Sequence, residues 1–493
     1  MIPSTQRHGL NRYDKILIVI FILTVPLVNP WVRGDGVGYY AYARAIVVNH
    51  NLQFEPDWLH ANSSFYLGRI DAPGHLRADQ YTRTGHMDNH FTIGPAMIWI
   101  PFLAITHVAV LGADSLGAGI PADGFSWPYM DIMAFVTALA GFLGLFLAFR
   151  LARKYFSERC AFLATLGIWF ASSLLAYMYF NPSWSHAHSA FVVALFLWYW
   201  DRTRAKRTLP QWLVLGLIAG LMLDMYYPNA LFLLALFVEL AVTATRILRS
   251  RLSSQTREIR ALVLRSCVFA VALVVAFLPT LISRWVIYGS PFSTGYTEVH
   301  VWHFTHPLWA QVLLSSDHGL FSWTPILFFA SAGLLLVLRR DSILGWALIS
   351  SAFAFYFLIA TYPDWDGISS YGNRFFVSLT PIFILGLTAL LAASEEFARN
   401  SRIAWRGAIA GIALLVLWNL GLMFQWGMHL IPERGPISWS EMASNQFRVV
   451  PVDFSTSLEH YFTRRHRMMQ GIEEKDLRQL GENNPKASKS EKP

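Results

Sequence analysis

Apolar runs of about twenty residues recur along almost the whole chain, and they decide the fold class before any single residue is weighed. About 20 residues of α-helix cross the hydrocarbon of a bilayer. Such runs lie at 16–31, 128–149, 160–180, 186–200, 210–227, 228–245, 262–283, 320–338, 342–361, 374–393 and 407–428. Only 14% of the 493 residues are charged and 54% are hydrophobic, against about 25% charged in soluble domains. Aromatics reach 15%, with 19 Trp, as long membrane-water boundaries favour. The chain is therefore expected to be an all-α, polytopic integral membrane protein of about eleven transmembrane helices. No small-x-small cleavage site follows the first run, and Pro26, Asn29 and Pro30 interrupt its far end, so it reads as a retained span. Cys160 and Cys267 suggest neither a disulfide framework nor a zinc site.

Charge sorts the loops. Basic clusters at Arg7–Lys15, Arg150–Arg159, Asp201–Arg207, Arg246–Arg260, Arg339–Arg340 and Arg399–Arg406 all belong inside by the positive-inside rule. The net charge of +8 then reflects topology rather than a nucleic-acid partner. This assignment closes if Phe91–Leu111 does not cross. Pro95 and Pro101 interrupt that segment, and the loop after it carries Asp114 and Asp123 but no Lys or Arg. It is expected to be re-entrant or juxtamembrane, within a first outer region at about 32–127. Residues 1–430 then form the membrane domain, and 431–493 a partly disordered extramembrane tail ending in Lys, Ser, Glu, Asn and Pro.

The polar residues collect on the expected outer face. Asp35 stands where the first helix leaves the bilayer, in Arg33-Gly34-Asp35-Gly36-Val37-Gly38-Tyr39-Tyr40. A charge held at bilayer depth costs roughly 2.5–3.5 kcal/mol, which makes such an acid a functional candidate. Helix capping is the plainer explanation. His86, Asp88 and His90 follow in the first loop, beside Asn89, and His186 and His188 at a helix turnover. His300, His303 and His306 share a second loop with Asp317-His318-Gly319, a donor-binding or metal-binding corner or simply a polar turn. These histidines and acids leave a divalent cation open. Asp364, Asp366 and Arg374 belong to a third loop.

Several of these segments together resemble a known family. They are Arg33-Gly34-Asp35 with its Tyr-rich continuation, Asn89-His90-Phe91-Thr92-Ile93-Gly94-Pro95-Ala96-Met97-Ile98-Trp99, Asp317-His318-Gly319-Leu320-Phe321-Ser322-Trp323-Thr324-Pro325, and Tyr371-Gly372-Asn373-Arg374-Phe375-Phe376 leading to Pro381. The pattern resembles the GT-C superfamily of membrane glycosyltransferases, on the bacterial branch of protein mannosyltransferases and the lipid A aminoarabinose transferase. The resemblance runs from about residue 10 to 395 as scattered short motifs. It implies inverting transfer of a sugar from a polyprenyl-phosphate carrier to a lipid, glycan or protein acceptor at the outer face of the bacterial inner membrane. It also implies Asp35 as the catalytic acid-base group and Arg374 as the contact to the carrier phosphate. Relatives often carry a second acid where this chain has Gly36, and a Lys-Pro-Pro signature where it has Ile93-Gly94-Pro95.

The chemistry agrees with that implication. A base must take the acceptor proton, and a cation must stabilise the departing phosphate. Tyr39, Tyr40, Asp88, Asn89, His90, His186, His188, Asp317 and His318 join Arg374 as candidate substrate contacts. A transporter or flippase for a lipid-linked or anionic substrate is the competing reading, and a scaffold in an envelope assembly a third. Mid-span charges, which a transporter would favour, reduce mainly to Asp224, Glu239 and Arg265.

Overall fold

The computed structural model describes residues 10–249, 255–295, 302–397 and 402–483. His300, the last ten residues of the tail and parts of three basic clusters lie outside them. The longer helices run in chain order as α1 (Arg12–Thr24), α2 (Asp35–Arg44), α3 (Gly94–Ser115), α4 (Trp127–Tyr155), α5 (Glu158–Phe170), α6 (His186–Thr203), α7 (Leu209–Met225), α8 (Leu234–Arg249) and α9 (Gln255–Tyr288). They continue as α10 (Ile326–Arg340), α11 (Ser342–Thr361), α12 (Thr380–Phe397), α13 (Arg402–Gly427), α14 (Trp439–Arg448), α15 (Val450–Thr463) and α16 (Arg465–Asn483). Among the described residues the only strands are Ile70–Ala72 and His75–Leu76, a small antiparallel hairpin. The fold is all-α and polytopic, and among the described residues seven helices are long and apolar enough to cross a membrane. Each of the eleven apolar runs carries helix, some of it in shorter pieces.

The prolines expected to interrupt the Phe91–Leu111 segment do not break it. Gly94–Ser115 is one unbroken helix of 22 residues and ranks among those seven. Pro95 falls in the first turn, where no backbone donor is needed, and Pro101 is accommodated inside the helix. Close helix packing is set by small residues. A Cβ on Gly216 or Gly220 of α7 would come within 2.4 Å of the Phe269 or Leu273 carbonyl oxygen of α9.

The two ends of the bundle carry different polar chemistry. At one end Asp14 meets Arg150 and Arg153 at 3.4 and 3.1 Å, Asp201 meets Lys154 at 2.6 Å, and Arg204 pairs with Asp341. These fasten the basic clusters to the helix ends. At the other end α1 stops near Pro26, and the chain runs extended to α2, held by Asn29 N–H donating to Tyr179 O at 2.6 Å. The segment between α2 and α3 folds over this end, captured by Arg284 of α9. Its guanidinium donates to the carbonyls of Asn89, His90 and Phe91 at 2.7–2.8 Å.

The tail past residue 431 packs as helices α14–α16 through residue 483. Asp476 of α16 pairs with Arg33 at 2.5 Å and with His429 at 2.6 Å. Glu473 accepts from the Ser64 N–H at 2.6 Å and from Asn62 Nδ2 at 3.1 Å. Tyr461 donates to Leu27 O at 2.7 Å. The tail therefore docks on the Asp35 end of the molecule.

Candidate active site

Asp35 is the first residue of α2, and the glycine before it turns the chain into the helix. Gly34 has φ 53°, the left-handed region, and a Cβ there would meet the Trp184 ring at 3.2 Å. At Gly36 a Cβ would lie 1.9 Å from Ser183 Oγ. This position has no room for a second acid. α2 thus lies directly on the 181–185 turnover, and Trp184 Nε1 donates to Arg33 O at 3.1 Å.

Arg374 arrives from 339 residues along the chain and places Nη1 2.5 Å from Asp35 Oδ2. Its guanidinium lies 4.6 Å over the Trp184 ring, a stacked cation–π arrangement that suits arginine. Nε is buried without a hydrogen-bond partner among the described residues. The Asp35 side chain remains 32% exposed and that of Arg374 12%. The pair opens on a cavity of about 550 Å³ lined also by Tyr39, Asp88, His90, His186, Arg69 and Arg77. Burial, reinforced by the Asp35 charge, raises the Tyr39 phenol, so its hydroxyl stays protonated. Burial lowers His90, keeping its imidazole neutral. Asp88 Oδ1 accepts from Tyr288 Oη at 2.5 Å.

Of the residues picked from sequence, Asp35, Tyr39, Asp88, His90, His186 and Arg374 line this one cavity. The others do not. Residues 35 and 39 share a helix face, whereas Tyr40 turns away and donates to Gly124 O at 2.6 Å. It lines a second cavity of about 690 Å³ on the far side of α2. Asn89 is fully buried and donates to Gly38 O at 2.9 Å, tying the loop to α2. His188, two residues past His186 on the same helix, points into the bundle, 5.1 Å from the Trp99 ring. Asp317 and His318 sit together off the cavity wall, beside Asp366. Of the spaced histidines, His303 and His306 lie in a turn whose N–H at His303 bonds to Thr361 O.

Sequence reasoning passed over Trp184, Arg69, Arg77 and Arg284. A Trp between Ser183 and Ser185 has no local signal of its role as a platform for Arg374. Arg69 and Arg77 were visible in the sequence as cations of the first loop. Together the cavity presents three arginines (69, 77 and 374) and the carboxylates of Asp35, Asp88 and Asp364. It can bind an anionic group and move a proton.

Residues 130–273 match the family model described as dolichyl-phosphate-mannose-protein mannosyltransferase. The matched stretch covers α4 through most of α9 and leaves both Asp35 and Arg374 outside. A comparison with curated proteins gave no match. Among solved structures, the crystal structure of ArnT from Cupriavidus metallidurans bound to undecaprenyl phosphate aligns at 15% identity and TM-score 0.49. That alignment covers 94% of this chain and 73% of ArnT.

Proposed function

We propose that this chain is a membrane glycosyltransferase of GT-C type that moves a sugar from a polyprenyl-phosphate carrier to an acceptor at the outer face of a bacterial inner membrane. The observation that carries the reading is the Asp35–Arg374 pair, a carboxylate and a guanidinium in contact at the wall of one cavity. The mannosyltransferase match over residues 130–273 supports the class of reaction.

In this mechanism an acceptor hydroxyl attacks the anomeric carbon while Asp35 takes its proton. The new carbon–oxygen bond forms on the face opposite the phosphate, the old one breaks, and the configuration inverts. The leaving polyprenyl phosphate gains charge, which the planar fork of Arg374 stabilises. Arg69 and Arg77 enlarge the positive wall of the cavity. The neutral imidazoles and the Tyr39 hydroxyl offer hydrogen bonds to sugar hydroxyls. The isoprenoid tail stays in lipid, beyond the helix ends.

The bundle's interior charges favour this reading over a transporter. Glu239 is held by Arg207 at 3.1 Å and Trp200 Nε1 at 2.6 Å, and Asp224 accepts from Thr280 at 2.5 Å. Neither faces the cavity. Mass spectrometry of envelope lipids and glycans from cells with and without the gene tests the proposal. Loss of a hexose- or pentose-sized substituent is expected; an unchanged glycan profile with altered lipid flux would favour the transporter.

A further inference from the structure

A second cluster lies behind Arg374, and its chemistry is incomplete as it stands. The short helix Trp309–Leu314 ends in a turn in which Ser315 Oγ accepts from the Asp317 N–H at 3.0 Å. His318 follows with φ 53°, left-handed and strained for a residue with a Cβ. Its imidazole is fully buried. Neither of its ring nitrogens has a hydrogen-bond partner among the described residues, and neither does the buried Oδ1 of Asp317, 3.4 Å from His318 Nδ1. Asp366 comes from the next loop. One ligand atom from each of the three residues lies within 4.8 Å of the others.

Buried polar atoms are normally paired, and a pair of carboxylates facing one imidazole repel each other unless a cation separates them.

We propose that Asp317, His318 and Asp366 bind a divalent transition-metal ion of the zinc or manganese class. One nitrogen and two carboxylate oxygens suit such ions. The ion would join the turn at 315–319 to the loop at 364–373. That loop passes against Arg374: a Cβ on Gly367, φ 77°, would lie 3.3 Å from its Cγ and Nε. The metal is thus a positioning element for the guanidinium, and it lies off the cavity wall. The inference stands on the cluster alone, whatever reaction the cavity performs.

The full-length protein, purified in detergent and stripped with chelator, is dialysed against zinc chloride or manganese chloride alone, and its metal content is measured by plasma mass spectrometry. About one ion per chain is expected, with a raised Tm. His318→Gln and the half-buried Asp366→Asn should each weaken retention by more than about a hundredfold. His429→Gln, which removes an imidazole from the separate Glu433–Asp476 cluster, should retain the ion, as should Asp35→Asn. Should His318→Gln not fold, Asp366→Asn carries the same test. A wild-type chain that holds no ion, or variants at 318 and 366 that hold as much as wild type, would overturn the proposal. Sugar transfer is not the readout, so failure here leaves the reaction assignment intact.

Discussion

The short helix α2 carries an Asp–Arg pair at each end, and the two are built for opposite purposes. At its C-terminal end Arg44 grips Asp57 through both arms, Nε to Oδ1 at 2.6 Å and Nη2 to Oδ2 at 2.7 Å. The two side chains are only 2% and 3% exposed. At its N-terminal end Asp35 and Arg374 touch through one oxygen and one nitrogen beside an open cavity. The first pair is sealed and saturated, so it holds the loop to the helix. The second keeps a carboxylate oxygen and guanidinium donors in reserve, which is what a site that must exchange partners requires.

The largest difference should appear in stability. Arg44→Ala strands the Asp57 carboxylate, which burial already pushes up to about 6. Breaking a buried pair costs about 3–5 kcal/mol, read as a loss of folded protein on thermal denaturation. Arg374→Lys, at a partly solvated pair, should change stability by about 1 kcal/mol or less. Its effect belongs to transfer: losing a charge-assisted fork is worth about 1.5–3 kcal/mol, or roughly ten- to a hundredfold in turnover, checked by product mass spectrometry. Gly36→Ala sharpens the contrast further, because its methyl group collides with Ser183. Overpacking of about 1–3 kcal/mol should displace Asp35 and lower turnover along with Tm.

Smaller effects should come from the tail. Asp476→Asn removes the charge shared by Arg33 and His429, two positions from Asp35, and should raise protease cleavage of α16. The same contacts set a pH dependence. Although burial opposes it, hydrogen bonds that the imidazole donates to the carboxylates of Asp476 and Glu433 raise His429 to about 9. Arg33 faces Asp476, and Arg434 lies near Glu433. A raised histidine contributes docking stability that is complete below pH 6.5 and lost as pH rises through about 9. Hydrogen exchange along α16 should therefore quicken between those values.

Much of this architecture was legible from hydropathy, because a membrane helix announces itself by length and composition. The break expected at Pro95 and Pro101 did not form: Pro95 falls in the first turn, where no backbone donor is needed, and Pro101 is carried inside a continuous helix. Asp35 and Arg374 stood out because a charge held at bilayer depth is costly and because their surroundings resembled a family. Tyr40 and His188 were misplaced by reading neighbours in sequence as neighbours in space; helical rotation carries each to the opposite side of its helix. The docking of α16 was hidden for another reason. Glu473 and Asp476 find Asn62 and Arg33 more than 400 residues away, and no local pattern encodes such a meeting.

The central claim is that the carboxylate of Asp35 takes the acceptor's proton within a site completed by Arg374. The direct measurement is mass spectrometry of envelope glycans in cells lacking the gene and supplied with either wild type or Asp35→Asn at equal membrane abundance. Wild type should restore the sugar substituent, and the Asn variant should leave it at least about a hundredfold below wild type. Restoration by Asp35→Asn at the wild-type level would contradict the account.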